Sequence, residues 1–176
     1  MPAGWTTAAT GAEVAWVTSA TGSDTAPNNA FAPDPNAVGN TELISPPISI
    51  AAGAGSFSFR NNFNTENTFD GMVLEISIDG GAYQDIVTAG GSFVTGGYTG
   101  LISSNFNSPI AGRQAWTGNS AGYITSTVNL PAAAGGHNIQ LKWRMATDSS
   151  VAATGVSVDT ITGLPCGGGT PVPTAT

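Results

Sequence analysis

Asn64, Glu66 and Asp70 share one short polar stretch, Asn64-Thr65-Glu66-Asn67-Thr68-Phe69-Asp70, closed by Gly71. Oxygens at this density are what a hard cation takes, since calcium binds about six to eight of them from carboxylates, amides, backbone carbonyls and water. Asp148 joins the set if the loop after Ile139–Met145 reaches the same rim, and Asp159 and Asp34 are further candidates. The spacing is not that of an EF-hand, and Asp and Asn are also common turn formers. The residues therefore read either as calcium ligands (Asn64, Glu66, Asp70, Asp148 and Asp159) or as solvated loop acids.

Other chemistry finds less support. His137 is the only histidine and follows Gly135-Gly136, the setting of an exposed hairpin tip. A Ser-His-Asp site would have to use it, and neither a GxSxG elbow nor an HExxH zinc motif occurs. Glu66, Asp70 and Glu75 leave paired-carboxylate glycoside chemistry open, but Glu75 lies on the polar parity of a strand and reads as a surface cross-strand partner. The expectation is a protein that is not an enzyme. For glycans, Tyr98, Trp116 and Tyr123 are the candidate contact residues, with Trp5 and Trp16 as further aromatics; Trp116 reads first as an anchor packing a loop on the sandwich. Trp143 shares the parity of Leu141 and Met145 and is assigned to the core.

The elements that must position these groups are strands. Phe57, Phe59 and Phe63 alternate with Ser58, Arg60 and Asn62, and Met72, Leu74, Ile76 and Ile78 alternate with Val73, Glu75 and Ser77. Tyr123–Leu130 and Asn138–Met145 repeat the pattern, which is the two-residue period of a half-buried sheet. Asp79-Gly80-Gly81 supplies a hairpin turn. One short strand is expected near Val14–Thr18, a loop over residues 26–40, and a strand over Thr41–Ser45 that Pro46-Pro47 demote to a sheet edge or a break. Gly155–Ile161 is the last strand, and Ala89–Thr99 a Gly-rich loop across one end. No amphipathic helix is found. The pattern predicts an all-β jelly-roll sandwich of about eight to ten antiparallel strands over residues 1–163, followed by a Gly/Pro/Thr-rich tail over 164–176.

Composition narrows the partners. The chain has 176 residues, a charged fraction of 9% and a net charge of −7, with Arg60, Arg113, Lys142 and Arg144 as its basic residues. That leaves no basic footprint for phosphates, so nucleic acid is excluded. Anionic membranes are excluded for the same reason, and no run reaches the ~20 apolar residues of a membrane span. Cations and neutral ligands remain. Cys166 is the single cysteine and has no intrachain partner.

Several motifs together resemble a bacterial extracellular jelly-roll domain, related to MAM domains and to the accessory sandwich of immune-inhibitor-A-type metallopeptidases. They are Pro2-Ala3-Gly4-Trp5, Glu42-Leu43-Ile44-Ser45-Pro46, Phe59 through Glu66, Asp70 through Ser77 with Asp79-Gly80-Gly81, Gly112 through Gly118, Leu141-Lys142-Trp143-Arg144 with Thr147-Asp148, and Val158-Asp159-Thr160-Ile161. The resemblance implies a galactose-binding-like fold, a non-catalytic role in a secreted or cell-surface protein, and a calcium ion. Two features depart from it. Val156 stands where an aromatic is usual, and the sequence starts at the Pro2-Ala3-Gly4-Trp5 segment, ahead of which the family usually has an acidic-aromatic strand. This strand is expected to have been trimmed, to leave an open edge, or to be supplied by another chain. The expected function is a calcium-stabilised module for adhesion or for carbohydrate or protein binding. The alternative is a self-assembling extracellular subunit that binds copies of itself by strand exchange at an open edge.

Overall fold

The structure, a computed structural model, describes residues 1–53 and 55–165. Its elements in chain order are β1 (Thr6–Gly11), β2 (Val17–Ser19), β3 (Asn29–Asp34), β4 (Gly39–Ile44), β5 (Ile48–Ser49), β6 (Ser56–Asn64), β7 (Gly71–Ile78), β8 (Gln84–Asp85), β9 (Ser92–Thr95), β10 (Gly100–Leu101), β11 (Gln114–Ala115), β12 (Ile124–Asn129), a 3-10 turn at Ala132–Ala134, β13 (Asn138–Thr147) and β14 (Ala153–Thr162). Eight of these strands have six or more residues; the rest are short pieces at edges and in connections. No helix among the described residues is long and apolar enough to cross a membrane.

Two sheets form. One runs β1-β4-β13-β7-β8, with β5 also paired to β13; the other runs β2-β3-β14-β6-β12-β9. Successive long strands change sheet from β3 to β4, β6 to β7 and β12 to β13 to β14, and every pairing is antiparallel. This is the expected all-β jelly roll. The alternating apolar residues meet between the sheets. Phe57, Phe59 and Phe63 of β6 face Met72, Leu74 and Ile76 of β7 and Leu141, Trp143 and Met145 of β13, all buried. Phe59 sits edge-on to Trp116 at 5.6 Å and to Trp143 at 5.4 Å. Each such side chain contributes about 1.5–3 kcal/mol by leaving water.

Several local expectations are corrected. Residues 26–40 contain β3, a strand lying between β2 and β14. Its Pro33 is tolerated because β2 pairs only as far as Phe31, and because β14 bulges between Ala153 and Val156, where no ladder N–H is needed. β1 carries no period; Thr6-Thr7-Ala8-Ala9-Thr10-Gly11 is largely exposed and simply adds to the edge of β4. β4 is therefore interior, and the two prolines mark a break before β5. Residues 89–99 include the edge strand β9. Glu75 is buried at 5% exposure. Both faces of β7 are covered, because the chain from Tyr98 to Ala115 crosses its outer side with Ile102, Ile110 and Ala115 packed on Val73 and Ala146. Glu75 still pairs across the strand with Lys142, and there it accepts from Arg113 and from Lys142 at 2.9 Å, with Arg144 at 3.6 Å. Burial works against its charge, but the Arg113 and Lys142 bonds hold its carboxyl below the usual range. Leu164 packs partly on the core; Cys166 and the tail beyond it lie outside the described residues.

Candidate metal centre

The β6–β7 loop is held rigidly against the segment before β12. Thr65 N–H donates to the Gly118 carbonyl (2.9 Å), Thr65 Oγ1 donates to the Asp70 carbonyl (3.2 Å), and Thr68 N–H donates to Thr117 Oγ1 (2.8 Å). Asp70 N–H closes the turn onto the Glu66 carbonyl at 3.1 Å. Asp148, one residue past β13, donates its N–H to Asp70 Oδ1, and its own Oδ1 accepts from Ser150 N–H at 2.8 Å. The β6–β7 and β13–β14 loops thus meet at one rim, and carboxylate oxygens of Glu66, Asp70 and Asp148 all lie within 4.8 Å of one another.

Two more acids back this group. Asp34, at the end of β3, contacts the Asp70 carboxyl and the backbone of Glu66 and Ala153. Glu13, between β1 and β2, faces Asp34 and Thr147. Asp34, Asp70 and Asp148 are 2%, 0% and 1% exposed, and Glu13 7%. Both oxygens of Glu13 and of Asp34, together with Glu66 Oε2, Asp70 Oδ2 and Asp148 Oδ2, are buried without a hydrogen-bond partner. No cation answers them, for the four basic side chains pair with Asp24, Glu42, Glu75 and Asp85. Burial raises the Glu13 carboxyl to about 8, aided by the Asp34 charge. It also raises Asp34 and Asp70, and Glu66 beside Asp148. Unpaired buried carboxylates cost several kcal/mol each. A hard cation removes that cost, and oxygen-only donors around one point fit calcium.

Of the five ligands read from the sequence, the structure gathers Glu66, Asp70 and Asp148. Asn64 is spent elsewhere: its Nδ2 donates to Thr154 Oγ1 at 3.0 Å, and its Oδ1 accepts from Asn119 at 3.1 Å. Asp159 accepts from the N–H groups of Asp24 and Thr25 at 2.9 and 3.0 Å. It lies toward the other end of β14, six residues beyond Ala153, the register partner of Asp34, or about 20 Å of strand. Glu13 was missed, and its one sequence signal is being the sole charged residue among the first 23.

The candidate glycan contacts do not form an open platform. Trp116 is fully buried and its Nε1–H donates to the Gly96 carbonyl at 2.9 Å; its ring cannot face a ligand, so the anchor reading holds. Tyr98 packs on Phe93 and Trp116 at 4.8 Å, while its hydroxyl accepts from Leu74 N–H and donates to Asp85. Tyr123 donates to the Gly22 carbonyl at 2.9 Å and packs beside Arg60. His137 is exposed and touches Asp79. A cleft of about 500 Å³ lies at the end opposite the Glu66, Asp70 and Asp148 group, lined by Trp5, Leu43, Val158 and Ile161 with Asn28, Asp159 and Thr160. Trp5 stacks at a tilt on the core Trp143 at 5.8 Å.

No protein-family model matches the chain, and no curated protein matches it. Solved structures do. A structure concerned with the promiscuous specificity of carbohydrate-binding modules of the β-sandwich superfamily is 13% identical over 92% of this chain, with a TM-score of 0.53; the chain spans 57% of its length. TmCBM61, solved with β-1,4-galactotriose, is 9% identical over 90% of this chain and 86% of its own, with a TM-score of 0.53. The K1 cleaved adhesin domain of Lys-gingipain from Porphyromonas gingivalis W83 is 14% identical over 92% of this chain and 90% of its own, with a TM-score of 0.50. At these identities the likeness is one of fold: the chain is a β-sandwich of the architecture also found in carbohydrate-binding modules and adhesin domains.

Proposed function

We propose that the chain is a non-catalytic binding module of a secreted or cell-surface protein, stabilised by calcium and holding a neutral glycan at the Trp5 cleft. The observation that carries the calcium reading is the group of buried, unpartnered carboxylate oxygens of Glu66, Asp70 and Asp148, with no positive side chain near them. Calcium is abundant outside cells, where modules bind it at about 10⁻⁴–10⁻³ M. The metal would act structurally, pinning the β6–β7 loop to the β13–β14 loop.

The cleft supports the binding reading. Its volume of about 500 Å³ falls within the ~300–1,000 Å³ of typical ligand sites. Trp5 lines it together with the polar residues Asn28 and Thr160, an aromatic beside polar groups as a sugar site needs. The two structural neighbours that concern carbohydrate-binding modules make a glycan the first class to test. Isothermal titration with β-1,4-galactotriose and with a panel of neutral oligosaccharides checks it. Binding by the parent chain that falls at least tenfold in Trp5→Ala is expected; a blank panel, or undiminished binding by the variant, refutes it. Self-assembly is the second reading, favoured by β1, which pairs on one side only and leaves an open edge. Size-exclusion chromatography that gives only monomer with and without calcium refutes that reading.

A further inference from the structure

We infer that the acidic rim seats two cations, the second held between Glu13 and Asp34; this rests on the calcium reading above. Five carboxylates converge there, and one calcium ion balances two of them. The oxygens that lie within 4.8 Å of one another belong to Glu66, Asp70 and Asp148, so among the described residues that set does not extend to Asp34 and Glu13. These two are nevertheless buried, at 2% and 7% exposure, and all four of their oxygens lack a donor. An acid group left over at the edge of a single-ion site would turn to solvent or accept a backbone N–H. Glu13 and Asp34 stay turned inward: the backbone N–H groups of Val14, Glu66 and Ala153 lie near them, yet none reaches their oxygens in hydrogen-bond geometry.

The surroundings are built to keep Glu13 inside. Ala12 N–H donates to the Val38 carbonyl at 3.0 Å, which lays the β1–β2 connection on the β3–β4 turn. Gly39 at the start of β4 permits this approach. A Cβ there would stand 2.6 Å from both the backbone N and the Cγ of Glu13, closer than any real contact. Thr147 Oγ1 donates to the Ala37 carbonyl at 2.8 Å and fastens the same turn to the end of β13. Asp70, in contact with Asp148 on one side and Asp34 on the other, is placed to bridge the two seats, with its unpartnered Oδ2 available. Glu13 and Asp34 come from the β1, β2 and β3 side of the sandwich, whereas the first seat is made by the β6–β7 and β13–β14 loops. A second ion therefore ties the outermost strands of both sheets to the centre, and water and backbone carbonyls complete its shell.

The test is calcium stoichiometry by equilibrium dialysis of the whole chain at about 1 mM calcium, the upper range of extracellular modules, for wild type and Glu13→Gln. Two ions per chain in the wild type and one in the near-isosteric variant are expected. One ion in the wild type overturns the second seat and leaves the calcium reading intact; none overturns both. Two ions in both proteins place the second elsewhere and overturn the assignment to Glu13. If Glu13→Gln does not fold, Asp34→Asn takes its place: one ion in that variant supports the seat, and two overturn the assignment.

Discussion

Asp70→Asn tests the centre most directly. Asp70 is fully buried; its Oδ1 accepts the Asp148 N–H and its Oδ2 has no donor. With neighbouring carboxylate oxygens within 4.8 Å, each ionised pair repels by about 3 kcal/mol at an effective dielectric of ~20. Without metal, burial and the Asp34 and Asp148 charges raise the Asp70 carboxyl well above its usual range, so it keeps its proton. Asparagine mimics that protonated acid and retains the acceptor for Asp148. In chelator near pH 7 the variant should therefore match the wild type within about 1 kcal/mol, since the neutral side chain is nearly isosteric. The pH dependence follows from the raised folded pKa. Its contribution is complete below the unfolded value near 4 and is lost as pH rises through the folded value, at about 1.4 kcal/mol per pH unit for each such carboxyl. Chelated wild type thus weakens from acid toward alkaline pH, and the variant weakens less. Calcium reverses the ranking. At 100 times Kd it stabilises the wild type by about 2.7 kcal/mol, or about 5–11 °C for a chain of this size, while the variant gains less than about 2 °C, having lost a ligand. Scanning calorimetry in chelator and in calcium reads both. A variant that melts several degrees lower in chelator, or keeps the full calcium shift, refutes the reasoning.

Two further outcomes follow from the packing. Glu75→Gln removes the shared counter-charge of Arg113, Lys142 and Arg144 and should cost about 3 kcal/mol in urea unfolding at pH 7; because the folded Glu75 pKa is lowered, the loss should shrink as pH falls through it, and a cost under about 1 kcal/mol argues against a buried network. Gly155→Ala places a Cβ 2.1 Å from the Ala32 carbonyl oxygen at φ +114, so the β14 bulge must open at a cost above about 2 kcal/mol; unchanged denaturant unfolding would contradict the bulge geometry.

How much of this was legible in the sequence depends on range. The apolar alternation of Phe57–Phe63, Met72–Ile76 and Ile139–Met145 needs only neighbouring residues, since the period of a strand is local. It determined the core faces, and with the scarcity of helix signals it determined the all-β class. The loop acids Glu66 and Asp70 were visible because four residues of separation and one turn place them together.

The rest is long-range. Glu75 was assigned to the surface because nothing in its own strand announces that residues 98–115 cross over it. Trp116 was offered as a ligand contact because its burial depends on Phe59 and Phe93, which arrive from two other strands. Asp159 and Asp148 have the same chemistry and similar turn-rich surroundings, yet β13 delivers Asp148 to the rim while β14 carries Asp159 away from it toward the opposite end. Glu13 reaches the acids because Gly39 leaves space for it. By itself the sequence determined which side chains face inward and which chemistry was available. Strand direction, sheet order and the path of one covering loop decided where those groups meet, because a carboxylate's role is set by what surrounds it in space.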